Sequence, residues 1–282
     1  MMNPADQIAR ATHFRDLNLA GHLLLPNAWN PASARIFEGA GFPAIGTTSG
    51  GIANTRGFPD AERIGRDAMV KEIAAIIAAV DLPVTADIEA GYGPRPEDVA
   101  ETIDAIIDVG AAGVNLEDNT HGSAAEPLYG IDAQAARIAA ARTASERRGI
   151  PLAINARTDT FILNLGHDLD ERLAMTIERG RAYVEAGADV IFVPLLVDPA
   201  GVRHVASEID APINVMVIPG APPAAELFAA GASRISLGAA AMLATLGTLR
   251  TIADEVATTG TWSAIERTFY GFGEAEALFV DR

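Results

Sequence analysis

Short apolar runs recur along the chain, and between them lie stretches whose apolar positions fall three and four residues apart. The runs 22–25, 43–47, 83–87, 114–117, 152–157, 190–193, 213–217 and 234–237 read as eight buried strands. The stretches 32–38, 61–80, 96–109, 132–148, 169–186, 199–208, 222–230 and 240–259 read as helices. Small turns around Gly39, Gly110, Gly187 and Gly231 put a glycine where a helix C-terminus needs a left-handed residue. Strands alternating with helices imply a parallel sheet, and eight such units imply closure into a (β/α)8 TIM barrel. Ahead of it, 6–19 is an amphipathic helix with Ile8, Phe14 and Leu17 apolar, suited to plug the closed end of the barrel. The segment 261–282 carries Trp262, Ile265, Phe269, Tyr270, Phe272, Leu278 and Phe279, so a helical tail packed on the barrel or on a neighbouring subunit is expected.

Composition narrows this picture. A chain of 282 residues is long for one compact domain, yet an α/β barrel of roughly 250 residues is one domain. A single domain over 1–282 is therefore expected. A net charge of −16 argues against a nucleic-acid or anionic-membrane partner, and an anionic substrate must instead meet a local cation or metal. Zero cysteines exclude disulfides, thiolate zinc sites and a cysteine nucleophile. Residues 1–10 include Asp6 and lack a signal-length apolar core, and no run of 18 apolar residues occurs, so a cytoplasmic protein is expected.

The ends of barrel strands meet at one mouth. Reading them in order gives Asn27, Trp29 and Asn30 after the first strand, then Thr47 to Gly51 with Arg56 to Asp60 after the second. Asp87 and Glu89 follow the third, Glu117 and Asp118 the fourth, and Asn155, Arg157 and Asp159 the fifth. The last three strands end in apolar or small residues, among them Pro194, Val217 and Gly238. Four acids around one mouth repel each other unless a cation is present, and oxygen-only donors favour Mg²⁺, with Mn²⁺ possible. Arg157 offers a fork for a carboxylate or a developing oxyanion. The Ser49-Gly50-Gly51 turn offers backbone amides to an anionic group. Plainer readings stand beside these: glycines that only serve a turn, Arg157 as an ion-pair partner of Glu117, and Asp118 as a cap.

The stretches Thr48-Ser49-Gly50-Gly51, Gly57-Phe58-Pro59-Asp60, Asp87-Ile88-Glu89-Ala90-Gly91-Tyr92-Gly93, Leu116-Glu117-Asp118 and Asn155-Ala156-Arg157-Thr158-Asp159 together resemble the isocitrate lyase and phosphoenolpyruvate mutase superfamily. The resemblance covers nearly the whole chain. It implies Asp87 as a direct Mg²⁺ ligand, with Glu89 and Glu117 holding the ion through waters and Asp60 beside the site. It also implies Thr48, Ser49, Gly50, Gly51 and Asn119 as substrate contacts, with Arg157 facing a carboxylate or enolate oxygen. Members of the superfamily cleave or rearrange the bond next to a 2-oxo acid through an enolate, and exchange their last helix between subunits of a dimer or tetramer.

Departures bear on the reaction. The superfamily's lyases carry a Lys/Arg-Cys-Gly-His loop after the fourth strand; here the loop is 119–129 and its histidine is His121, the candidate acid or base. The missing cysteine argues against ordinary isocitrate or methylisocitrate cleavage. The mutase's lysine and asparagine-serine pair are absent from this loop, Pro194 stands where the mutase has a histidine, and Glu89 stands where aspartate is usual. The expectation is a Mg²⁺-dependent lyase that breaks or forms the C–C bond beside a small 2-oxo acid. The alternatives are P–C bond chemistry and a barrel that binds a 2-oxo acid or dicarboxylate without turnover. A Schiff-base aldolase fits poorly, since Lys71 is the only lysine and falls in a helix. His13, His22, His167 and His204 are scattered and suggest no metal cluster.

Overall fold

The computed structural model describes residues 3–122 and 125–280. Its strands are β1 (Leu23–Leu25), β2 (Asn27–Ala28), β3 (Ile45–Thr47), β4 (Val84–Asp87), β5 (Gly113–Glu117), β6 (Ala153–Arg157), β7 (Val190–Pro194), β8 (Ile213–Met216) and β9 (Arg234–Ser236). Every neighbouring pair is parallel, in the order β1-β9-β8-β7-β6-β5-β4-β3-β2. The expected first strand is β1, and beyond Pro26, which has no N–H to give to a ladder, the stretch expected as a turn adds the short strand β2. β1 pairs with β9 and β2 with β3, so the ring closes as a (β/α)8 barrel.

The helices are α1 (Pro4–Ala20), α2 (Pro31–Gly39), α3 (Ser49–Thr55), α4 (Arg66–Ala79), α5 (Pro96–Asp108), α6 (Ile131–Arg148), α7 (Leu169–Glu185), α8 (Pro199–Glu208), α9 (Ala224–Ala229), α10 (Ala240–Thr259), α11 (Ser263–Thr268) and α12 (Phe272–Ala277). α5 shows why they form. Pro96 opens it with a fixed φ, Asp98 accepts from the Arg95 amide at 2.9 Å, and Val99, Ile103, Ile106 and Ile107 bury one stripe. Each such side chain contributes about 1.5–3 kcal/mol on leaving water. α1 closes the barrel floor as expected. Phe14 is fully buried, and a Cβ on Gly113 would meet its ring at 2.9 Å, so β5 needs glycine there.

Two expectations change. The helix expected over 61–80 begins only at Arg66, because Ala61, Glu62 and Gly65 have φ of 73°, 60° and 80°, outside helical space. The turn expected at 49–51 is instead the first turn of α3, capped by Thr48. The tail is covered only in part by its own barrel. It touches the barrel where Arg35 Nε donates to the Leu278 carbonyl at 2.6 Å, but Trp262, Phe269, Tyr270, Phe272 and Phe279 stay exposed. α10 buries only Met242 and leaves Leu243, Leu246 and Leu249 in solvent. Among the described residues no helix is long and apolar enough to cross a membrane.

Candidate active site at the barrel mouth

β4 carries the chain to the mouth and delivers Asp87 there. Its backbone amide donates to Thr47 Oγ1 at 2.8 Å, and its Oδ2 accepts the Ser49 amide at 2.9 Å. Oδ1 is buried and has no partner. Burial raises the Asp87 carboxyl above its usual range, opposed by the Arg157 charge and the Ser49 amide.

The chain then turns through Glu89 and Tyr92, whose φ values of 51° and 61° are left-handed. Glu89 is 2% exposed. It accepts from the Tyr92 hydroxyl at 2.7 Å and from the Glu62 amide, and Glu62 in turn accepts the Tyr92 amide at 2.6 Å. Burial pushes Glu89 up to about 8. Ala61, Glu62, Glu89, Tyr92 and His121 account for five of the eight non-glycine residues with positive φ among those described, so backbone strain gathers at this mouth.

β5 and β6 pair in register at Glu117 and Arg157. Arg157 Nη1 lies 2.6 Å from Glu117 Oε2, while Nε and Nη2 reach Asp159 at 2.6 and 3.0 Å. The plainer reading of Arg157 as a Glu117 partner therefore describes its position correctly, yet two of its five N–H donors remain for a ligand. Glu117 is 3% exposed, and burial lifts it to about 7 against the Arg157 charge. His121 Nε2 lies 2.8 Å from Glu117 Oε1 without the alignment of a hydrogen bond, making this a charge contact. Burial pulls the imidazole down, but Glu117, with Glu62 and Glu89 behind it, outweighs burial and raises it overall.

The remaining expected residues fall around this core. Asp60 is exposed, and its carboxylate lies over Gly50, where a Cβ would meet Oδ2 at 2.9 Å. Thr48, Ser49 and Gly51 are buried at the start of α3. Asn119 donates to Asp159 Oδ2 at 2.9 Å and accepts the His121 amide at 2.9 Å. Ser123 and Ala124 of the 119–129 loop lie outside the described residues. Asp118, read as a possible cap, is a fully buried brace that binds Arg179 at 3.1 Å, the Tyr183 hydroxyl at 2.8 Å and the Asp159 amide at 2.9 Å.

Three residues escaped the sequence reading. Glu62 and Arg137 sit in stretches read as helix, and Tyr92 lies in the 87–93 motif without a role of its own. Arg137 is fully buried and donates to the Gly93 carbonyl at 2.6 Å and to the Ala90 carbonyl. With Gln134, which donates to the Glu117 carbonyl at 3.1 Å, it ties α6 to the backbone of the acidic turns.

The sequence model for phosphoenolpyruvate phosphomutase matches residues 14–257. The chain belongs to that family. The uncharacterized protein Rv1998c of Mycobacterium tuberculosis is 38% identical over 80% of this chain and 81% of its own length. A solved structure from Burkholderia cenocepacia, provisionally described as a lyase/mutase, superposes with a TM-score of 0.90 at 37% identity, covering 98% of this chain and 97% of that one. Phosphoenolpyruvate phosphomutase from Streptomyces platensis superposes with a TM-score of 0.81 at 28% identity, covering 95% and 94%. This member of the phosphoenolpyruvate phosphomutase family is an enzyme of the lyase or mutase type.

Its donor set suits a hard divalent ion: carboxylates without thiolates, one of them with an oxygen lacking any other partner. Among the described residues no three acidic or histidine side chains form a ready cluster of direct ligands. The reason is visible in the geometry, since Glu89 is held by Tyr92 and Glu62, and Glu117 by Arg157 and His121. Such an arrangement fits one direct carboxylate with the others one water away.

Proposed function

We propose that the chain is a Mg²⁺-dependent enzyme that stabilises the enolate of a small 2-oxo acid and breaks or forms the C–C bond beside it. Asp87 is the direct ligand, Glu89 and Glu117 hold the ion's waters, and Mn²⁺ can take its place. The observation that carries this reading is Asp87 Oδ1, a buried carboxylate oxygen without a partner whose twin is fixed by the Ser49 amide. When bound, the ion supplies Lewis-acid stabilisation of charge developing on the substrate oxygen. Arg157 turns its two remaining donors to the substrate carboxylate or enolate oxygen. Thr48, Ser49, Gly50, Gly51 and Asn119 orient its polar groups, and Asp60 closes over Gly50 beside them. His121 moves the proton at Nε2, in the place of the absent cysteine, and the 119–129 loop excludes water. Asp87→Ala should abolish Mg²⁺ binding and lower turnover roughly a thousandfold or more. Full turnover after removal of metal by a chelator would sink the reading.

The match to the phosphoenolpyruvate phosphomutase family supports a second reading, P–C bond chemistry at the same site. Phosphorus NMR on phosphonopyruvate separates the two. The bare α10 face, the exposed tail aromatics and the 40% exposure of Leu24 on the outer face of β1 support a homo-oligomer, a dimer or tetramer that exchanges its last helix. Sedimentation as a monomer at micromolar concentration would contradict it.

A further inference from the structure

Beneath the acidic mouth, residues of β4, β5, β6, β8 and β9 form a second polar group, built around a cation. Arg234, the first residue of β9, is fully buried, and its guanidinium makes one hydrogen bond, a long 3.4 Å contact from Nη2 to Asn115 Oδ1. Its Nε and Nη1 have no hydrogen-bond partner among the described residues. Asn214, its register neighbour on β8, is also fully buried, and neither atom of its amide is satisfied. Asn155 donates to the same Asn115 Oδ1 at 2.7 Å, while its own Oδ1 is unpartnered, as is the buried Thr85 Oγ1. The Phe14 ring lies below, its centroid 5.7 Å from the guanidinium carbon.

A buried guanidinium without an ion-pair partner is a costly state, and so are buried amides without hydrogen bonds. Burial pulls Arg234 down to about 9, with Asp87 the one charge opposing it. One Asp87 oxygen is taken by the Ser49 amide, and no hydrogen bond joins the carboxylate to Arg234 among the described residues. Water alone would satisfy the hydrogen bonds and leave Asp87, shared with the mouth, as the one charge set against the guanidinium. Nε and Nη1 belong to different edges of the guanidinium, so one small ligand cannot satisfy both. A single guanidinium among neutral amides and a hydroxyl offers one positive charge, which suits a monovalent ion better than phosphate or sulfate.

We propose that the barrel interior holds a small monovalent anion of halide type, bound by Arg234 and the Asn214 amide. The Thr85 hydroxyl turns toward it, and water meets the Asn155 and Asn214 carbonyl oxygens. The ion is a structural counter-charge under the mouth, independent of which reaction the mouth performs.

Unfolding the full chain and refolding it in bromide lets a fully buried site exchange before crystallisation. An anomalous bromide peak beside the Arg234 guanidinium is the expected result, and density there without anomalous signal overturns the proposal. At fixed ionic strength the melting midpoint of the native chain should be a few degrees higher in chloride or bromide than in gluconate. Arg234→Met should remove that difference, and equal midpoints for the native chain in all three salts would also overturn the proposal. If Arg234→Met does not fold, the bromide crystal of the native chain decides alone.

Discussion

The ends of β3 to β6 and those of β7 to β9 face each other across one mouth, yet they are built from opposite materials. The first half holds Asp87, Glu89, Glu117 and Arg157 in a mesh of contacts, with the carboxyls of Asp87, Glu89 and Glu117 all pushed up by burial. The second half offers Phe192, Pro194, Met216 and Gly238. Met216 sits so close to Gly238, whose φ is 51°, that a Cβ there would meet its sulfur. In the first half, removing one group strands its partners in a low dielectric. In the second, a swap of similar volume leaves nothing unpaired. Charge is therefore gathered on one side of the mouth, and the other side is apolar.

Arg157→Ala tests this difference hardest. It leaves Glu117 and Asp159 buried without their cation and should cost about 3–5 kcal/mol, read by urea denaturation. A loss under 1 kcal/mol would mean that the acids are already neutral or hydrated. His121→Ala comes next. It should lower turnover about a hundredfold while costing less stability than Arg157→Ala, because Arg157 stays against Glu117 when the imidazole is gone. Unchanged turnover would return His121 to a plain lid residue. Met216→Leu, across the mouth, should cost less than about 1.5 kcal/mol and change turnover less than tenfold. A collapse of activity there would put chemistry on the apolar side as well.

Much of this architecture was legible from the chain. Short apolar runs and glycine-closed helices declare a barrel because both follow local rules, and the strand ends then fall on one face by geometry. α3 was missed because its Ser49-Gly50-Gly51 opening looks like a turn, and only Thr48 as cap and the contact with Asp87 fix it as helix. Glu62 was missed because the left-handed run from Ala61 has no signature without glycine. Arg137 and Arg234 were missed for a shared reason. Charged residues on helices and strands are solvated by default, and what buries these two is packing between segments far apart in sequence, α6 over the Ala90 to Gly93 carbonyls and β9 against Asn115.

Burial also fixes the sign of the pH response. Glu89 and Glu117 hold protons up to about 8 and about 7, against ordinary values of 4.5. Their contribution to metal-free stability is therefore full below pH 4.5 and is lost as pH rises from there through 7 to 8, where the buried carboxyls ionise. A cation at the mouth must displace those protons.

Calorimetric titration of the metal-free protein with Mg²⁺, repeated at pH 6 and pH 9 in buffers of different ionisation enthalpy, measures that displacement directly. One ion per chain is expected, with clear proton release at pH 6, close to none at pH 9, and tighter binding at the higher pH. No binding at either pH, or binding without proton release at pH 6, would contradict a divalent-metal site at Asp87, Glu89 and Glu117.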